Sequence, residues 1–120
     1  MSSAPRVANK DARAYVINKR PFKGSNTFGE FYHYGSREHD GSVTALLYVV
    51  FSYARHWPLF VYDFKVDQWF SNCDKYSPST SKHHTQLSPH EATIPLSVEQ
   101  MRHLINCGGY AQMTQRRLTA

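Results

Sequence analysis

Val43-Thr-Ala-Leu-Leu-Tyr-Val-Val-Phe-Ser52 and, after a break at Arg55-His-Trp-Pro58, Leu59-Phe-Val-Tyr-Asp-Phe64 decide the fold of this chain. The first run is too rich in Val, Leu, Tyr and Phe for a strand with a wet face, and near-continuous apolar character implies a central strand covered on both sides. A buried helix is the alternative, because Thr44-Ala-Leu-Leu47 is compatible with one. Pro58 sets the entry to a second strand over Leu59 to Phe64, Lys65-Val-Asp-Gln68 reads as a hairpin connection, and Trp69-Phe-Ser-Asn72 reads as a third strand. An antiparallel meander is therefore the expected core.

Working outward from it, Glu30 to Tyr34 is a short strand behind the turn Gly24-Ser-Asn-Thr-Phe-Gly29, and Gly35 to Gly41 is a charged loop. Ala14-Tyr-Val-Ile17 has strand composition and is ended by Lys19-Arg20-Pro21. On the far side, Pro89 and Pro95 frame a connector. Ser97 with Gln100 forms a capping box, and Val98, Met101, Leu104 and Ile105 then share one face of a helix stopped by Cys107-Gly108-Gly109. The expected fold class is α+β: a small antiparallel sheet with one C-terminal helix packed on a face. Residues 1–11 are expected to be a flexible basic arm, 12–110 a single domain and 111–120 a frayed basic tail.

A chain of 120 residues buries enough surface to fold without metal or disulfide. Eight Tyr, seven Phe and two Trp favour a sheet over a helical bundle. Cys73 and Cys107 permit one disulfide, but residues 1–24 hold nothing like a signal peptide, so reduced thiols in the cytoplasm are expected. The longest apolar run, Ala45 to Phe51, is too short to span a bilayer, which excludes a membrane-spanning role. The net charge of +5 is uneven. Arg6, Lys10, Arg13, Lys19, Arg20 and Lys23 against Asp11 leave residues 1–24 at +5, while residues 25–113 carry −2. A basic arm on a nearly balanced body is a pattern that attracts phosphate.

The candidate site is Tyr76-Ser-Pro-Ser-Thr-Ser-Lys-His-His-Thr-Gln86, a hydroxyl-rich run placed directly behind the meander. A loop held by a sheet can aim side chains for which the core has no use. Ser77, Ser79, Thr80 and Ser81 offer hydroxyls, Lys82 a charge, and His83 and His84 further donors, as an anion requires. Exposed aromatics suited to stacking on bases are expected near strand ends at Tyr32, Tyr34, Trp57 and Tyr76.

No zinc spacing accompanies the seven histidines, since the cysteines lie 34 positions apart, and neither a metal nor a cofactor is expected. No nucleophile elbow or cysteine-protease signature is present either. Three functions remain open. The first is a binding module for a phosphate-bearing ligand, nucleic acid foremost. The second is a modulator docking on another protein through Tyr and Trp anchors. The third is a small enzyme using His83 or His84 as acid or base. An exposed strand edge leaves an oligomer open as well.

The order Val50-Phe-Ser-Tyr53, Trp57-Pro-Leu-Phe-Val-Tyr-Asp63, Trp69, Asp74-Lys-Tyr-Ser77 and Thr80-Ser-Lys-His83 resembles a family of short proteins of tailed bacteriophages and prophages. Its members combine a strand pair marked by Ser-Tyr and then Pro with a Tyr-Ser-x-Thr-Thr-Ser-Lys/Arg-His segment; here Ser79 replaces one threonine. The likeness covers roughly residues 42–86, about a third of the chain. It implies a small α+β domain of viral source acting in the host cytoplasm on a host protein, a nucleic acid or a signalling nucleotide, with no activity attached. The positions it carries over are Ser52, Tyr53, Pro58, Tyr76, Ser77, Thr80, Ser81, Lys82 and His83.

Overall fold

The computed structural model describes residues 5–34, 45–55, 57–74, 78–89, 91–107 and 109–110. Its centre is a six-stranded sheet in sequential order: β1 (Phe22–Lys23), β2 (Thr27–Tyr34), β3 (Ala45–Ser52), β4 (Pro58–Asp63), β5 (Gln68–Asn72) and β6 (Thr93–Leu96). Neighbours from β1 to β5 run antiparallel, and β6 adds to β5 in parallel. With three helices among the described residues, α1 (Asn9–Ile17), α2 (Pro78–Gln86) and α3 (Val98–Cys107), the molecule is α+β.

The meander forms where the apolar runs place it, and β3 is covered on both faces. Tyr48 and Val50 join one buried cluster with Ala12, Val16, Trp69 and Leu87, beneath α1 and α2. Leu47, Val49 and Phe51 join the other, with Met101, Leu104 and Ile105 of α3. Between Val50 and Phe51 the pairing with β4 slips, with Phe51 opposite Pro58 while Val50 faces Phe60. A bulge of this kind bends the strand end. The close approach of β1 to β2 requires Gly29: a Cβ there would lie 2.5 Å from the Tyr48 hydroxyl and 2.7 Å from a Phe22 ring carbon.

Several expectations are corrected. Ala14 to Ile17 is the last part of α1, not a strand, because Ala12 and Val16, four apart, bury one stripe against the sheet and tertiary packing overrides β-branched propensity. α1 ends in Lys19 at φ 52°, with the Lys19 N–H bonding the Val16 carbonyl and the Arg20 N–H the Tyr15 carbonyl. This is a Schellman closure with lysine in the place glycine usually holds. The supposed flexible arm is partly folded: the Val7 N–H donates to the Lys23 carbonyl and the Lys23 N–H to the Pro5 carbonyl, so this stretch lies along β1.

The polar run is likewise a helix rather than a loop. α2 starts at Pro78, whose fixed φ suits a first helical position, and supplies the crossover that two parallel strands need. The connector expected between Pro89 and Pro95 contains β6, where an edge position tolerates Pro95. No helix among the described residues is long and apolar enough to cross a membrane. The charged loop 35–41 and the tail 111–120 lie outside the described residues.

Candidate functional site

Strand ends gather at one border of the sheet, where Thr27 pairs Ser52, Phe51 pairs Pro58 and Asn72 pairs Leu96. The Asn72 side-chain amide donates to the Pro58 carbonyl at 2.8 Å and closes this border. α2 packs over it. Ser52, on the Tyr48–Val50 face, is wholly buried, and its hydroxyl lies 2.8 Å from His83 Nδ1. The same helix is tied to α1 by Arg13, whose guanidinium donates to the Thr85 carbonyl.

Immediately after Ser52 the backbone turns sharply. Tyr53 sits at φ 66°, and its N–H donates at 2.7 Å to the carbonyl of Asn26, which is also at φ 66°. A left-handed conformation is costly for a bulky residue and persists only where the surroundings over-determine it. Here the reverse turn Ser52 to Trp57 is locked by further backbone bonds from Ala54 to Ser52 and from Trp57 to Ala54. The outcome is a tyrosine 48% exposed, its ring centroid 5.4 Å from that of His83 with the two rings tilted by 48°.

Tyr53 forms one wall of a cleft of about 290 Å³ whose other walls bring Arg6, Lys23, Asn26, Phe28 and Arg55. A second hollow of about 400 Å³ shares Arg6, Lys23 and Gly24 with it and extends along Ala8 and Ser25. The floor is stiff, since Thr27 donates to the Asn9 side chain at 2.7 Å and Asn9 to the Ser25 carbonyl at 2.8 Å. Arg55 is held by Glu30 at 2.8 Å and lies over the Phe28 ring at 5.3 Å. Among the described cleft residues that leaves Arg6 and Lys23 as the cations best placed for a ligand anion.

A separate cavity of about 370 Å³ opens between α2 and the ends of β4 and β5, lined by Asn72, Asp74, Ser81, His84 and Thr85 over Leu59. The His84 ring packs 4.5 Å from Phe60, and its Nε2 is buried without a partner among the described residues. Burial holds both imidazoles below the usual histidine range. For His83 the Lys82 charge adds to that effect, and for His84 a bond to the Asn72 backbone opposes it. Both are neutral at pH 7.

The expected site residues thus divide. Tyr53 and His83 meet, as do Ser52 and His83. Ser81 and His84 face the other cavity, and exposed Lys82 lines none of the three hollows. Trp57 is corrected: it is buried in the α1 and α2 cluster, because the turn after Tyr53 swings it inward. Tyr76, Ser77 and the Thr80 side chain lie outside the described residues.

Of the basic residues, Arg6 and Lys23 reach the cleft. Arg13 holds α2, and Lys19 lies over the Tyr62 ring at 4.3 Å. Lys10 and Arg20 are exposed, and the Arg20 carbonyl accepts from Tyr48. Asn26, Phe28 and Arg55 were not foreseen. Their position depends on the Ser25–Asn26 turn and on the β2–β3 register, and the only sequence signal was a turn beside a strand end. Comparison with known proteins finds no matching family model, curated protein or solved structure.

Proposed function

We propose that this chain is a non-catalytic binding protein for a phosphate-bearing ligand, nucleic acid foremost, and that it is a small phage-type protein acting in a host cytoplasm. The observation that carries the reading is the cleft that Arg6 and Lys23 line together with the half-exposed Tyr53. Lysine and arginine neutralise backbone phosphate, and an aromatic face adds sequence-tolerant contact. The sheet, with α3 on its other face, is the scaffold that holds this border.

An enzymatic role for His83 is the lesser reading. The Ser52–His83 pair has the chemical types of a nucleophile and base, but Ser52 has no exposed surface and the bond fastens α2 to β3. The test is fluorescence anisotropy of a labelled single-stranded oligonucleotide over a salt series. Two phosphate contacts predict a log–log salt slope of about −1.4, at about −0.7 per contact, and Lys23→Glu should weaken binding and flatten the slope. Affinity that stays constant between low and moderate salt overturns the proposal.

A further inference from the structure

The cleft offers two unlike surfaces to one ligand, and their pairing narrows what that ligand is. Cations at Arg6 and Lys23 attract any polyanion, whereas the half-exposed Tyr53 ring adds an aromatic surface on which a nucleobase can stack. The ring is presented rigidly. Its backbone is pinned at φ 66° by the bond to the Asn26 carbonyl, and His83 stands behind it at 5.4 Å. Little freedom is left to lose on binding, which is the condition under which an aromatic anchor contributes most.

In duplex nucleic acid the base faces are stacked on one another and unavailable, while an unpaired base exposes one. The size is compatible: a hollow of about 290 Å³ beside Tyr53, and one of about 400 Å³ that shares Arg6, Lys23 and Gly24 with it, are each of the order of a small-ligand site. Asn26, in the same cleft, carries both a donor and acceptors toward a base edge.

We infer that the cleft takes an unpaired nucleotide, its base stacked on Tyr53 and its two flanking phosphates on Arg6 and Lys23, so that the protein discriminates single strands from duplex. The inference rests on the phosphate-binding reading and adds the base.

Three labelled probes of equal length separate the two: oligothymidine, a duplex, and an oligomer of abasic sites. Oligothymidine should bind about tenfold tighter than either of the others. Tyr53→Leu, which keeps apolar bulk without the ring, should lose about tenfold for oligothymidine and leave the abasic probe unchanged, and Tyr53→Phe should bind like the parent. Equal affinity for duplex and single strand, or Tyr53→Leu weakening the abasic probe equally, overturns the inference. If Lys23→Glu still weakens all three probes in that case, the phosphate reading stands. If the parent binds none of them, both readings fall.

Discussion

The two faces of the sheet share the same strands and differ in how they hold their helices. Under α3, Leu47, Val49, Phe51, Val61 and Phe70 meet Met101, Leu104 and Ile105 through apolar contact, with backbone N–H bonds from Val98 to Asp74 and from Tyr110 to Asp63 at the two ends of the helix. Under α1 and α2 the cluster is also large, but its border is threaded with specific bonds: Ser52 to His83, Arg13 to Thr85, Tyr48 to the Arg20 carbonyl, and the Trp69 indole to Glu91 at 2.6 Å. Apolar burial is non-directional and supplies stability, whereas a buried polar bond fixes geometry and is costly mainly when one partner is lost. The second face is the one that aims Tyr53, so stability and aim are divided between the two sides of the sheet.

The largest effect should come from the apolar side. Leu104 is fully buried, and Leu104→Ala removes methyl groups from a close-packed layer, costing about 2–5 kcal/mol in urea unfolding. Nucleotide affinity in the folded fraction should be unchanged. A loss of affinity in that fraction would break the division, since it would couple α3 to the cleft.

Ser52→Ala tests the other side at a smaller cost. It leaves His83 Nδ1 buried opposite a methyl group, an unmatched polar atom worth about 1–3 kcal/mol. With His83 unfastened, the support behind the Tyr53 ring loosens, so oligothymidine affinity should fall along with stability. Stability falling with affinity intact would show that the backbone bond from Tyr53 to Asn26 alone fixes the ring.

The same division decided what could be read from the residues. β3, β4 and β5 stand within a residue or two of the expected runs, because strands buried on both faces are written as uninterrupted apolar stretches. α1 was read as a strand because Tyr15, Val16 and Ile17 are strand formers, and the stripe of Ala12 with Val16 is only one turn long. Its stop at Lys19 lacks the usual glycine, so nothing marked the helix end. α2 looked like a loop because its Ser and Thr content favours turns, and only the parallel pairing of β6 with β5 demands a crossover there. At the site, the types of His83, Arg6 and Lys23 are enough to name them and Tyr53 comes only with the resemblance, while Asn26, Phe28 and Arg55 need the turn and the strand register.

The finest test of the comparison is acid. His83 and His84 lie on the α2 side and are held below the ordinary histidine value of 6.5 chiefly by burial, so the folded protein binds fewer protons than the unfolded chain just below that pH. Their contribution to stability is therefore whole above pH 6.5, falls as pH drops through the interval between 6.5 and the folded values, and changes no further once both states are protonated. Urea midpoints measured across that interval should decline on acidification in the parent. The paired variant His83→Gln with His84→Gln should start from a lower midpoint and decline less. Leu104→Ala should shift the whole profile downward with its shape kept, because the leucine removed is apolar and packs in the cluster on the other face of the sheet. A slope that survives the double glutamine variant would assign the acid sensitivity elsewhere, and a changed slope in Leu104→Ala would mean that the two faces do not act separately.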